Sequence, residues 1–309
     1  MRILIVGFGI QGNKRNAIAR DSVVGIVDPL HPMATHKKIE DVPLDMFDAA
    51  MLCVPDDPKI SLIRYLLERK KHVLVEKPLF CASDRQLTEL REIAVQNRVA
   101  CYTAYNHRFE PHILNMKSLL DSGFLGEVYF VRMFYGNGTA RLVRESEWRD
   151  SGLGVLPDLG SHLLDTANFW FGKNYRDFDI FSANRFENRS FDHVSFGGGS
   201  NPLIQLEVTL LSWKNHFYAD VYGENGSAHI DSLCKWGPST FTIRRRKFPS
   251  GKPEEEEKIV NKSDPTWLME DIHFRKMCVT GDNNLEDDLW MNNVLKLLYA
   301  QLPQSTMEQ

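Results

Sequence analysis

Apolar residues follow two different rhythms along this chain. Up to about residue 107 they come in short continuous runs: Ile3-Leu4-Ile5-Val6, Val23-Val24-Gly25-Ile26-Val27, His72 to Glu76 and Val99 to Ala104, with Ala49 to Val54 as a third or fourth strand. Runs that lack a polar alternate predict strands buried on both faces, as in a parallel sheet. Between them the spacing turns helical. Leu62, Ile63, Leu66 and Leu67 mark one face of a helix from Ile60 to Arg69, and Leu87, Leu90, Ile93 and Ala94 mark another, opened by Ser83-Asp84-Arg85-Gln86 as a capping box. Strand and helix in alternation predict a doubly wound parallel sheet, an α/β Rossmann domain, over residues 1–107.

Beyond it the pattern changes. Pro111 suits the first turn of a helix carrying Ile113, Leu114, Leu119 and Leu120, with Gly123 as its cap. Val128 to Tyr135, Leu203 to Trp213 and Phe217 to Tyr222 then alternate with period two, and Glu224-Asn225-Gly226-Ser227 reads as a tight hairpin turn. Residues 108–309 are therefore expected to form an α+β domain with a large, mostly antiparallel open sheet, whose uncovered face is a candidate oligomer surface. Arg244-Arg245-Arg246-Lys247 has the look of a nucleic-acid patch. A hairpin centred on Gly251, however, sets Lys247 opposite Glu255, Arg246 opposite Glu256, Arg245 opposite Glu257 and Ile243 opposite Ile259, so that the charges neutralise across strands. Gln304 to Gln309 reads as a frayed tail.

Composition narrows the class. A chain of 309 residues suits two domains with separate cores. A formal charge of −4 gives no pull toward nucleic acid or an anionic membrane. The five cysteines are odd in number and free of any C-x-x-C spacing, as expected for reduced thiols. No run approaches the roughly 20 apolar residues of a membrane span, so a soluble cytoplasmic protein is expected.

The candidate chemistry begins at the first strand. Gly7-Phe8-Gly9-Ile10-Gln11-Gly12 follows it and opens a helix. Gly7 permits the tight turn, Gly9 lets backbone approach a pyrophosphate, Gly12 lets helix and strand pack, and the helix start offers amides to the phosphates. Asp28 ends the second strand, where a carboxylate accepts ribose hydroxyls and repels a 2′-phosphate, which favours NAD over NADP. The alternative is that Asp28 only starts a turn with Pro29 while Lys37 and Lys38 reach a phosphate. Lys77, in Val73-Leu74-Val75-Glu76-Lys77-Pro78, stands at a strand end where a nicotinamide is expected; otherwise it is a solvated strand-end residue.

In the second half, Asp158, His162 and Asp165 recur at helical spacing, on one helix face. Imidazole suits the proton transfer that accompanies hydride transfer, Asp158 could fix its tautomer, and Lys77 could stabilise charge on the same oxygen. Asp158 and His162 read equally well as a structural pair near a helix start, and the three side chains as metal ligands, although no further ligand cluster accompanies them. Arg141, Arg144 and Arg149, in and after a loop from Tyr135 to Trp148, either hold a diphosphate or carboxylate or are solvated.

The chain resembles the Gfo/Idh/MocA family, the glucose-fructose oxidoreductase and inositol dehydrogenase group. The resemblance rests on Gly7 to Gly12, Glu76-Lys77-Pro78, Tyr105-Asn106-His107-Arg108-Phe109 with Pro111, and Asp158 to Asp165. It implies a nicotinamide-dependent dehydrogenase or reductase acting on a sugar, sugar nucleotide or cyclic polyol, dimeric or tetrameric through the sheet of its second domain. Lys77 and His162 are then the catalytic pair, with Asp158 close to substrate. The resemblance also implies that Ile10 and Gln11 contact cofactor with the glycines, that Glu76 and Pro78 shape the nicotinamide end, and that Val54 and Pro55 line the adenine or ribose side. Asn106 and Arg108 touch cofactor or substrate. Two departures stand out: Asp56-Asp57-Pro58-Lys59 where many relatives place a histidine, and a short segment from Pro29 to Pro43. A non-catalytic dinucleotide-binding regulator on the same fold is the competing reading.

Overall fold

The computed structural model describes residues 1–302 apart from 82, 147–148, 151 and 174–176; the tail from Gln304 and Trp148 of the loop lie outside the described residues. The chain divides into two compact units, Met1–Asn106 with Thr266–Asn292, and His107–Pro265 with Asn293–Gln309.

The first unit is built on β1 (Ile3–Val6), α1 (Ile10–Ala19), β2 (Val23–Val27), β3 (Ala49–Leu52), α2 (Lys59–Glu68), β4 (His72–Glu76), α3 (Asp84–Asn97) and β5 (Cys101–Ala104). All neighbours in its sheet are parallel, in the order β2-β1-β3-β4-β5. Alternate residues of each strand enter opposite cores. Leu4, Val6, Ala50, Leu52, Val73 and Val75 pack with Leu66 and Leu67 of α2 and Leu87 and Leu90 of α3. Ile3, Ile5, Met51, Leu74 and Tyr102 pack on the other side with Ala19 of α1. The Ala49 run is thus the third strand, and Val54 and Pro55 follow it. Ser83 precedes α3 without the side-chain cap bond that its sequence predicts; its carbonyl accepts the Gln86 N–H at 3.1 Å instead.

The expected boundary at residue 107 misses a return of the chain. Phe274 and Met277 belong to the core beneath Ile3 and Ile5, so Thr266–Asn292 is part of the first unit. Burying one such side chain contributes about 1.5–3 kcal/mol, which explains why a segment so distant in sequence stays there.

In the second unit, α4 (Pro111–Asp121) has its proline in the first turn and is followed by Gly123 at φ +70°. Next come β6 (Val128–Gly136), α5 (Ala140–Arg144), α6 (Ser161–Phe171), β7 (Phe178–Asn184), β8 (His193–Gly198), β9 (Leu203–Thr209), β10 (His216–Gly223), β11 (Gly226–Asp231), β12 (Ser239–Arg245) and β13 (Glu254–Val260). The sheet order is β13-β12-β11-β10-β6-β9-β8-β7, antiparallel except for the β6–β9 pair. Val131, Met133 and Tyr135 of β6 face the core. Phe130 and Phe134 lie on the opposite face, stacked on Tyr222 and Tyr218 at 4.4 and 5.4 Å. Glu224 and Asn225 form the two-residue turn between β10 and β11.

The basic and acidic runs do pair across strands, with Arg244 Nε 2.6 Å from Glu255, but the register differs from the one centred on Gly251. Arg245 faces Glu254, Arg244 faces Glu255 and Ile243 faces Glu256. β13 is exposed along nearly its whole length, so no buried side chain selects among the alignments that pair these charges, and the loop accommodates the shift. The remaining helices are α7 (Thr266–Thr280) and α8 (Leu285–Gln301); α8 belongs to the first unit up to Asn292 and to the second from Asn293.

Candidate active site

The candidate residues fall into two groups, one in each unit. In the first, β1 lies between β2 and β3, so the connections leaving β1 and β3 run to opposite sides and open a crevice at the strand carboxyl ends. Gly7 has φ +86°, and a Cβ there would lie 2.5 Å from the Cys53 carbonyl oxygen. At Gly12 a Cβ would come within 2.1 Å of the Gly7 carbonyl oxygen. Gly9 is different: its φ is −74° and a Cβ would meet nothing within 4 Å. Two glycines therefore serve packing, and the third leaves space beside the start of α1, where Ile10 and Gln11 are exposed. That space fits a pyrophosphate approached by helix-terminal amides.

Asp28 braces this turn. Its carboxylate accepts the Phe8 N–H at 2.8 Å, and those of Leu30 and His31 at 2.9 and 2.8 Å. Burial alone would raise its pKa, but the three amide bonds hold it below the ordinary carboxylate range. The turn-forming reading of Asp28 is thus correct as far as it goes, and the group remains ionised beside the glycine turn.

At the end of β4, two buried cations that the motif did not announce secure Glu76-Lys77-Pro78. Arg15 of α1, 2% exposed, lies 2.7 Å from Glu76 and 2.7 Å from Glu270 of α7, with the Trp267 ring 4.5 Å from its guanidinium carbon. Lys59 of α2, 3% exposed, donates to the Pro78 carbonyl at 2.9 Å and pairs with Asp56 at 2.7 Å. Burial lowers its pKa, with Asp56 acting in the opposite sense. Burial also pushes Glu270 up to about 7, against the pull of Arg15. A signal existed for each. Arg15 occupies the buried stripe Gly12, Arg15, Ala19; Lys59 the stripe Lys59, Ile63, Leu66, Leu67; and Glu270 the stripe Glu270, Phe274, Met277. A charge on an apolar stripe requires a partner. Asn106 donates to Thr266 Oγ1 at 2.9 Å, which anchors the start of α7, and Val54 lies beside Gly7.

In the second unit, Leu156–Gly160 form a π-helical turn that runs into α6. Pro157 has no N–H to give, and the wider turn offsets Asp158 from the simple α-helical face expected of it with His162. His162 is 7% exposed and its Nδ1 is fully buried. Asp158 is 3.4 Å from Arg149, and its charge lies near Tyr135, whose hydroxyl pKa is raised mainly by burial and further by that carboxylate. Asp165 is held by the Arg108 fork, with Nε 3.0 Å from both oxygens and Nη2 2.6 Å from Oδ1. Among the described residues no group of three or more His, Cys, Asp or Glu side chains is placed to hold a metal ion. Arg141 and Arg144 lie exposed on α5.

His162 also has neighbours that its motif gave no reason to expect. The His107 ring stacks on it at 3.9 Å between centroids and 20° between planes, and Lys235 Nζ lies 2.9 Å from His107 Nε2. Elsewhere, on the sheet, Asp220, His229 and Ser227 have the distances of a nucleophile triad, 2.7 and 2.8 Å. Arg244 shares the same His229 Nε2 at 3.2 Å, so the lone pair a base would need is already engaged, and the trio is a cross-strand polar ladder.

Residues 1–105 match the model of an oxidoreductase family with an NAD-binding Rossmann fold, and residues 113–229 match the GFO/IDH/MocA C-terminal domain. An uncharacterised oxidoreductase of Schizosaccharomyces pombe is 32% identical over 128 residues, 40% of this chain and 34% of its own. Inositol 2-dehydrogenase of Rhizobium meliloti is 26% identical over 126 residues, 41% of this chain and 37% of its own. The chain spans only about a third of the length of the first curated relatives it matches, 34%, 36% and 35%. The structure of levoglucosan dehydrogenase with NADH and L-sorbose has the same fold, with a TM-score of 0.80 at 14% identity over 97% of each chain.

Proposed function

Because the chain belongs to the Gfo/Idh/MocA family, we propose that it is an NAD-dependent oxidoreductase moving a hydride between nicotinamide and a hydroxyl or keto carbon of a sugar, sugar nucleotide or cyclic polyol. The observation that carries the reading is the crevice of the first unit. The glycine turn, ionised Asp28 and the Arg15- and Lys59-braced Glu76-Lys77-Pro78 all stand at carboxyl ends of neighbouring parallel strands. The names of the relatives, an inositol and a levoglucosan dehydrogenase, support the substrate class.

NAD, when bound, supplies the hydride acceptor for alcohol oxidation. Gly7, Gly9, Ile10, Gln11 and Gly12 would hold its pyrophosphate, and Asp28 its ribose, where the anionic carboxylate disfavours a 2′-phosphate. Val54 and Pro55 would line the ribose side, and Glu76, Pro78 and Asn106 the nicotinamide end. Lys77 donates to the substrate oxygen and stabilises charge developing on it. His162 would take the hydroxyl proton, and burial of its Nδ1 supports Nε2 as the exchanging atom. Asp158 and Arg108 act on the substrate side, Asp158 through its carboxylate and Arg108 by fixing Asp165 on the helix of His162. The open sheet face, with its Phe130–Tyr222 and Phe134–Tyr218 stacks, would join copies into a homodimer or homotetramer.

The test is to offer a panel of inositols, sugars and sugar nucleotides with NAD and with NADP and to follow reduced-nicotinamide absorbance. Turnover with NAD on at least one cyclic polyol is expected. Tight NAD binding without turnover on any of them would favour the regulator.

A further inference from the structure

The residues around His162 include a built-in positive charge that the proposed chemistry does not itself require. Two short segments create it. Asn106–Phe109 forms a 3₁₀ turn that carries His107, and Glu110 follows it. Cys234–Trp236 forms another, carrying Lys235. The buried Glu110 carboxylate accepts the Cys234 N–H, and the Cys234 thiol lies 3.3 Å from its other oxygen, so the second turn is docked on the first. Trp236 then packs at 5.7 Å on Tyr135, which is itself 5.8 Å from His162. Lys235 crosses the Trp236 ring at 4.7 Å to reach His107.

An ammonium group has only protons to offer, so His107 Nε2 accepts and its own proton resides on Nδ1. A second charge on His107 would face Lys235 at 2.9 Å, and one shared by both imidazoles would face its like across a 3.9 Å stack. We propose that His107 and Lys235 are positioning residues for His162: His107 is the neutral plate that holds its ring flat, and Lys235 is the charge behind the plate that keeps His162 unprotonated and ready to accept a proton at neutral pH. The inference rests on His162 as proton carrier.

Other charges bear on the same ring. Asp158 on the π turn and Asp165 on α6 favour the imidazolium, the first moderated by Arg149 and the second by Arg108; Tyr135 on β6 stays neutral. Glu110 lies behind Lys235 and burial raises its pKa, which weakens its opposition to the ammonium. Asp264 and Lys262 act on the Glu110–Cys234 pair behind Lys235 with opposite signs. Lys235 thus adds a positive charge, beside those of Arg149 and Arg108, against the two flanking carboxylates.

The experiment uses the full chain and the variants Lys235→Met and Lys235→Arg. The His162 ring resonance, assigned by its disappearance in His162→Gln, is followed from about pH 5 to 9, the interval in which an imidazole titrates. Lys235→Met is expected to raise the His162 midpoint by about one pH unit, a tenfold gain in proton affinity, and to move the acid limb of kcat/KM the same way. Lys235→Arg should return both toward wild type. Lys235 is half-buried, and an unchanged thermal midpoint confirms that the Met variant is folded. A folded Lys235→Met whose titration and acid limb coincide with wild type overturns the proposal. Should the wild type turn over no polyol at all, the functional reading fails while the resonance still decides this one.

Discussion

Replacing Gly9 by alanine separates binding from folding. Gly9 has an ordinary φ of −74°, and its Cβ would meet nothing within 4 Å, so alanine meets neither strain nor a clash. Restricting the unfolded chain favours the variant by about 0.4–1 kcal/mol, and the loss of glycine at the N-cap of α1 opposes it by a comparable amount, so stability should change little. The methyl group instead enters the space assigned to the pyrophosphate. Forcing a methyl group into a filled site costs about 1–3 kcal/mol, equivalent to a roughly 5- to 150-fold weaker NAD affinity. Gly12→Ala is the control: its Cβ would lie 2.1 Å from the Gly7 carbonyl oxygen, so it should destabilise the domain outright. Urea unfolding and calorimetric NAD titration on the same samples read both effects. A Gly9→Ala protein that is folded and binds NAD as tightly as wild type would refute the assignment of the glycine turn as the phosphate cradle.

Two further perturbations probe the hidden braces. Lys59→Met should cost about 1–3 kcal/mol in urea unfolding, because the Pro78 carbonyl loses its donor, and should lower turnover by loosening Lys77; unaltered stability and turnover would show that the ammonium does not support the motif. Glu270, whose pKa rises from 4.5 to about 7 on burial, binds its proton more tightly in the folded state, so the stability it contributes is greatest below pH 4.5 and is lost as pH rises to about 7. Wild type should therefore lose stability relative to Glu270→Gln across that interval, and a constant difference in urea midpoint would contradict the raised value.

Much of the architecture was legible because it depends on local pattern. Ile3-Leu4-Ile5-Val6 reads as a strand buried on both sides, and the glycine run gains its meaning from lying between that strand and a helix. What escaped depends on partners distant in sequence. Arg15, Glu76 and Glu270 explain one another only once α7 lies against α1: a charge on an apolar stripe signals that a partner is needed without saying which. The β12–β13 register escaped because the charge pattern tolerates several alignments, whereas the ladder with β11 admits one. His107 lies in a motif that gave no sign of its partner, and Lys235, 128 positions away, lay in none.

The central claim is that Lys77 and His162 handle the proton that accompanies hydride transfer, and it is tested most directly by Lys77→Ala on a substrate that the wild type turns over. With NAD saturating and its affinity measured in the same samples, the account predicts a fall in kcat of about a hundredfold or more, while NAD affinity stays within about twofold. Undiminished kcat in that variant would contradict it.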